Sequence, residues 1–278
     1  MTTSIDIAFI GGGNMATAII GGLLRQGRAA ASILVIDPVA EQRARLTQAL
    51  GVQTAAEPDA ALSQARTVVW AVKPQQFKDA AQTYAPLTGQ ALHYSVMAGL
   101  RTDGMARLLG TARIVRAMPN TPALVGQGMT GLFARPEVSV AEREAIGAMV
   151  APTGAALWVN NEADLDAVTA LSGSGPAYVF YFVEAMMQAA QDMGLSAEQG
   201  RQLALATFGG ATALASQSSD APAVLRERVT SKGGTTYAAL TSMESAGVKA
   251  AFIAAMRAAQ KRAGELGDEF GGDLFDQC

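Results

Sequence analysis

Two clusters of small residues in this 278-residue chain have the composition of anion cradles. The first is "GGGNMA" at residues 11–16, and the second, far downstream, is "VTSKGGTT" at residues 229–236. In the first, Gly11, Gly13 and Ala16 stand in the G-x-G-x-x-G/A arrangement. One glycine lets the chain turn, the next lets a pyrophosphate touch backbone, and the small third residue keeps the following helix close. The amides of Gly11, Gly12, Gly13, Asn14 and Met15 would then face phosphates from a helix N-terminus. In the second cluster Gly233 and Gly234 free the backbone to turn its amides inward as a nest. Thr235 and Thr236 open the next predicted helix there, and Ser231 and Thr236 offer hydroxyl donors. A plain helix cap by Thr235 reads the same residues equally well.

The first cradle needs strands and a helix to hold it, and they are legible. Residues 5–10, "IDIAFI", form an apolar run that stops at the glycines, after which Met15, Ala18, Ile19, Gly22 and Leu23 recur at helical spacing. "ILVID" at residues 33–37 is the next strand, and it ends in Asp37, a little beyond the roughly 20-residue offset at which an acid takes a ribose hydroxyl. A carboxylate there repels the 2′-phosphate of NADP, while Arg43 and Arg45 on the following helix offset it, so the coenzyme is read as NADPH or NADH. "TVVWAV", "ALHYSV" and "ARIVRAM" continue the alternation with helical or polar segments, which predicts a doubly wound sheet. Each ends in a cluster suited to a crevice at the carboxyl edge: "KPQ" with Lys73, then "MAG", then "PNTP". Lys73 followed by Pro74 is also what a solvated lysine before a helix looks like.

Composition narrows the possible functions. Half the residues are hydrophobic and 16% are charged, a folded composition, and a net charge of −3 provides no basic field for nucleic acid. The one cysteine, Cys278, excludes an intramolecular disulfide and a Cys-rich metal site and fits a cytoplasmic protein. The N-terminus lacks the pattern of a signal peptide, and no apolar run reaches membrane-spanning length. The sole histidine, His93, lies inside an apolar strand and is read as a packed imidazole rather than a proton donor.

From residue 160 onward the periodicity is helical, so the division is placed as a sheet domain at 1–161 and a helical domain at 162–278. The helix after Pro176 is apolar on nearly every face, and a helical domain of this size has little interior for it. A subunit partner would supply one. Further helices are predicted at 197–215, 221–229, 235–245 and 248–266, and the acidic, glycine-rich tail from Gly267 to Cys278 is predicted to fray.

Assembled, these residues resemble the pyrroline-5-carboxylate reductase family. The likeness runs through "GGGNMA", "AVKPQ" at 71–75, "RAMPNTPALVGQG" at 116–128, "SGSGPAY" at 172–178 and "VTSKGGTT". It implies an α/β Rossmann-type sheet domain followed by an all-α dimerisation domain, and NAD(P)H-dependent reduction of a cyclic imine to L-proline. The resemblance makes Ser231, Gly233, Gly234, Thr235 and Thr236 the seat of the substrate carboxylate at a dimer interface. It places Val72, Lys73, Pro74, Ala98 and Asn120 near the nicotinamide. Thr236 is then the candidate proton donor to the imine nitrogen, or an orienting hydrogen bond if an iminium binds. The family usually has proline after the serine of the last motif, where Lys232 adds an amide and a positive charge. Two other readings use the same sheet domain. A β-hydroxyacid dehydrogenase or imine reductase relative would have a lysine on the long second-domain helix, and the helix after Pro176 has none. A non-catalytic NAD(P) sensor would have no use for a second anion nest.

Overall fold

The computed structural model describes residues 4–273, so Cys278 lies outside the described residues. Two compact units divide the chain. One holds the described residues up to Ser174 together with those from Ala259 onward, and the other is Gly175–Ala258.

In the first unit the chain runs β1 (Ile7–Ile10), α1 (Asn14–Arg25), β2 (Ile33–Ile36), α2 (Ala40–Leu50), β3 (Gln53–Ala55), β4 (Thr67–Trp70), α3 (Phe77–Thr88), β5 (Leu92–Ser95), α4 (Thr102–Leu109), β6 (Ile114–Met118), β7 (Gly128–Ala134), α5 (Val140–Val150), β8 (Gly154–Trp158) and α6 (Asp164–Val168). Among the described residues these strands make one eight-stranded sheet in the order β3-β2-β1-β4-β5-β6-β7-β8. β1 pairs in parallel with β2 and with β4, Ile7 lying opposite both Ile33 and Thr67. The order reverses at β1, which opens a crevice beyond its carboxyl end.

The pleat sends alternate side chains to opposite faces. Ile7 and Phe9 of β1 join Ile19, Ile20 and Leu23 of α1 and Ile146 and Met149 of α5 in one apolar cluster. Ala8 and Ile10 join Phe77 and Ala81 of α3 and Met105 and Leu109 of α4 in the other. Both faces being covered is why these strands read as unbroken apolar runs.

Three strands, β3, β7 and β8, escaped the sequence reading. β3 has only three residues, and β7 pairs antiparallel with β6 and contains two glycines. Those glycines are demanded by packing. A Cβ on Gly131 would lie 2.6 Å from a methyl of Val168, and one on Gly128 would lie 2.8 Å from the Thr153 carbonyl. The same contact explains why the compact unit runs past residue 161: Leu165 and Val168 of α6 sit against Gly131. A π-helical turn, Thr169–Gly173, follows.

The second unit contains α7 (Gly175–Asp192), α8 (Ala197–Gln217), α9 (Pro222–Arg228), α10 (Thr235–Ser245) and the start of α11 (Val248–Asp273). Ser196 and Gln199 form a capping box at the start of α8. Gly200 brings α8 close to α7, a Cβ there lying 2.9 Å from that of Ala190. Phe252 meets Tyr178 and Phe182 edge-on at 5.8 and 5.6 Å. Little else is enclosed, since Val183 and Ala190 are the buried residues of α7 and α10 has none. The tail expectation is corrected for residues 267–273: α11 continues through Gly267 to Asp273, and its last turns belong to the first unit, while residues 274–278 lie outside the described residues.

Candidate functional site

β1 delivers the chain directly into the glycine turn. Gly11 takes φ +95°, donates to the Ile36 carbonyl at 2.8 Å, and has the Ala71 carbonyl 2.6 Å from where a Cβ would lie. Only glycine fits both the dihedral and the space. Gly12 is equally enclosed, by Leu46 and by Asp37, whose Oδ2 accepts the Gly12 N–H at 2.8 Å. Gly13 differs, because nothing lies within 4 Å of its Cβ position. It stands in the N-cap place of α1 with no side-chain cap, so the helix opens onto free space beside exposed Asn14 and half-buried Met15. A cradle of this shape fits a pyrophosphate.

Asp37, directly after β2, is almost wholly buried, and its second oxygen accepts the Val39 N–H at 2.9 Å. Each carboxylate oxygen keeps a free lone pair, so the acid both pins the glycine turn and can still accept a ribose hydroxyl. Arg43 directs Nη1 to the carbonyls of Asp37 and Pro38 at 2.8 and 2.9 Å. Exposed Arg45 makes no such contact.

The crevice rim comes from the ends of β4, β5 and β6. Beyond β4, half-buried Val72 leads to exposed Lys73 in the extended backbone that a following proline favours, and Pro74 starts a short 3-10 turn. Ala98 is exposed between buried Met97 and buried Gly99 beyond β5. Asn120 lies beyond β6, and its side-chain amide is engaged within the protein. Its Nδ2 donates to the carbonyl and hydroxyl of Ser172, both at 3.2 Å, and its Oδ1 accepts the Met129 N–H at 2.9 Å. The amide thereby ties the end of β6 to the start of β7 and to the π-turn.

Sequence reasoning also missed a charged brace under this rim. Arg116, buried in β6, donates to Glu162 Oε1 at 3.1 Å, and Glu162 also accepts the Thr102 N–H at 2.8 Å and its hydroxyl at 2.6 Å. Arg101 donates to Asp166 at 2.6 Å. Burial holds the Arg116 guanidinium below its usual range, with the Glu162 charge opposing. The available signal was an arginine inside the apolar run "ARIVRAM", since a buried cation requires a partner.

His93 is buried as expected. Its Nδ1 accepts the Trp70 indole N–H at 2.9 Å, and Nε2 makes no well-formed hydrogen bond among the described residues. Burial pushes its pKa down to about 4, so the imidazole is neutral and structural.

In the second unit, residues 231–236 turn through Gly233 at φ +76°. The Gly234 N–H donates to the Ser231 carbonyl at 3.0 Å. The N-cap of α10 is Gly234 rather than Thr235, and no side chain caps it. The amides that open α10 therefore stay available, and among the described residues the Ser231 and Thr236 hydroxyls have no hydrogen-bond partner. Thr235 is therefore not the cap of this helix.

Residues 162–266 match the family described as pyrroline-5-carboxylate reductase dimerisation, and residues 6–99 match NADP oxidoreductase coenzyme F420-dependent. A pyrroline-5-carboxylate reductase of Pseudomonas aeruginosa is 45% identical over 267 residues, 95% of this chain and 98% of that protein. The chain belongs to the pyrroline-5-carboxylate reductase family. The solved structure of a family member from Coxiella burnetii has a TM-score of 0.88 at 37% identity, covering 95% of this chain and 98% of that one. A Plasmodium falciparum pyrroline carboxylate reductase, solved with NADP bound, has a TM-score of 0.85 at 26% identity and covers 96% of this chain and 100% of that one. The glycine turn of this reductase-family chain lies in the 6–99 match and the open nest in the 162–266 match. Among the described residues no helix is long and apolar enough to cross a membrane.

Proposed function

We propose that the protein reduces 1-pyrroline-5-carboxylate to L-proline with NADPH or NADH, in the cytoplasm and as a homodimer or higher homo-oligomer. The observation that carries this reading is the pairing, in one chain, of a dinucleotide turn open at Gly13 with a second anion nest open at the start of α10. Membership of the reductase family supports it. Apolar side chains left exposed on α7, just after it and on α8 support the oligomer: Phe180 at 58%, Tyr181 at 69%, Met193 at 74% and Leu214 at 60%.

The coenzyme, when bound, supplies a hydride to the imine carbon. Gly11, Gly12, Gly13, Asn14 and Met15 hold its pyrophosphate, and Asp37 takes a ribose hydroxyl. Val72, Lys73, Pro74 and Ala98 rim the nicotinamide, with Asn120 contributing through its backbone because its amide is engaged. Ser231, Gly233, Gly234, Thr235 and Thr236 hold the substrate carboxylate, whose charge is favoured at the N-terminus of α10. As hydride adds to carbon, the C=N bond becomes C–N and the nitrogen must gain a proton. The Thr236 hydroxyl donates a hydrogen bond to that nitrogen and passes on a proton that water returns, since a free threonine alkoxide is out of reach near neutral pH. Substrate arriving as the iminium leaves Thr236 orienting the ring.

Absorbance at 340 nm tests this directly, with purified protein and NADPH or NADH, in the presence and absence of the imine. Oxidation that depends on the imine is expected. Coenzyme binding without turnover would reject the reductase reading.

A further inference from the structure

We infer that the last turns of α11, through Gly267 and Phe270, position the loop after β5 and hence Ala98 for hydride transfer; this rests on the reductase reading above. The loop itself has a simple pattern. Met97 and Leu100 are buried in the apolar cluster beneath α3 and α4, Gly99 is buried at φ +76°, and Ala98 is its exposed residue. Left-handed backbone beyond a strand end has no ladder to hold it, so something else must fix where Ala98 sits.

The C-terminal helix supplies that support by two reciprocal close approaches. Over the loop glycine, the Phe270 ring comes within 2.8 and 3.0 Å of the place a Gly99 Cβ would occupy, and Leu266 Cβ within 3.3 Å. One turn earlier the glycine is on the helix. A Cβ on Gly267 would lie 2.7 Å from Nε and 2.9 Å from Nη2 of Arg101, the guanidinium already held by Asp166 at 2.6 Å. One turn earlier again, the Gly264 Cβ position is 3.7 Å from Asp166 Oδ2. Positions 264, 267 and 270 share one helix face and track the loop and its anchor in register. Phe270 also packs on the same cluster as Met97 and Leu100.

A helix end containing Gly264, Gly267 and Gly271 has poor intrinsic helicity, so this segment is helical because it docks. The contacts at 267 and 270 lie beyond the residues matched by the dimerisation family, which end at 266. They serve the coenzyme-side unit instead. Hydride transfer tolerates little misplacement of the nicotinamide, with about 100-fold lost per ångström in oriented reactions, so a loop backed by one aromatic ring is a sensitive place to lose support.

Three variants test the inference: Phe270→Ala, Phe270→Leu and Gly267→Ala. The readouts are kcat, KM for the imine, and the fluorescence enhancement of bound NADPH, which reports the nicotinamide environment. For Phe270→Ala, kcat should fall about tenfold with KM for the imine within about twofold, alongside a weaker enhancement at saturating NADPH. Phe270→Leu should restore most of both. Gly267→Ala places a methyl against Arg101 and should act in the same direction; a merely structural role predicts a changed melting temperature with unchanged kinetics and enhancement. Should Phe270→Ala not fold, Gly267→Ala decides. Wild-type kcat and enhancement in folded Phe270→Ala, or in Gly267→Ala, would overturn the inference. A wild-type protein that binds NADPH but never turns over the imine would sink the reductase reading, and the fluorescence comparison would still decide the positioning role.

Discussion

The glycine turn after β1 and the glycine turn before α10 both present helix-opening amides, yet they are built in opposite ways. Around Gly11 and Gly12 the space is closed by the Ala71 carbonyl, Leu46 and Asp37, and the flanking strands are buried on both faces. Around Gly233 nothing lies within 4 Å of the Cβ position, and α10 has no buried residue. The first cradle takes its shape from the sheet beneath it. The second has amides and hydroxyls in place, and the walls must come from its ligand or from another subunit. Substitutions should therefore act on the first through clash and on the second through backbone strain and lost donors.

The sharpest way to break the comparison is Gly11→Ala. Left-handed backbone and a 2.6 Å contact act together, so coenzyme affinity should fall at least about 100-fold, measured by titration of bound NADPH fluorescence. Near-normal affinity would mean the turn is not rigid. Thr236→Ala should lower kcat by about 100-fold with coenzyme affinity within about twofold. Unchanged kinetics would remove Thr236 from the reaction.

The enclosed side of the comparison extends to His93, and here the expected effect is on stability. Its folded pKa of about 4 lies below the ordinary 6.5 because burial penalises the charge. The unfolded chain therefore binds the proton first as pH falls. Stability from this site is full above pH 6.5 and declines between 6.5 and 4, by about 3 kcal/mol in all. Urea unfolding at several pH values should show the acid-side loss shrinking by that amount in His93→Gln, which keeps an acceptor for Trp70. Parallel pH profiles for the two proteins would contradict a neutral buried imidazole.

Smaller effects refine the open side and the coenzyme choice. Gly233→Ala meets strain without clash, about 1–2 kcal/mol, so KM for the imine should rise about tenfold while coenzyme binding stays put. A loss as deep as that of Gly11→Ala would show that the nest has walls after all. Asp37→Ser should move the ratio of specificity constants toward NADPH by about tenfold or less, because the same change loosens the Gly12 amide. A ratio that does not move would assign Asp37 to the turn alone.

What was readable in the sequence were the features imposed by local chemistry. Apolar runs marked β1, β2, β4, β5 and β6 because both sheet faces are covered, glycines marked the turns that need left-handed backbone, and small residues with hydroxyls marked the start of α10, whether open or capped. The family motifs were readable for the same reason, since each is a contiguous stretch with its own backbone demand.

Tertiary structure decided the rest, because those features depend on partners far along the chain. β7 looks unlike a strand because Gly128 and Gly131 answer to Thr153 and Val168. The Asn120 amide finds its partners in Ser172 and Met129, 52 and nine residues away along the chain. Arg116 finds Glu162, and the helix through residues 267–273 lies against Arg101 and Gly99. A spacing rule sees neighbours on one helix or strand; it has no access to a side chain that a distant segment brings within 3 Å.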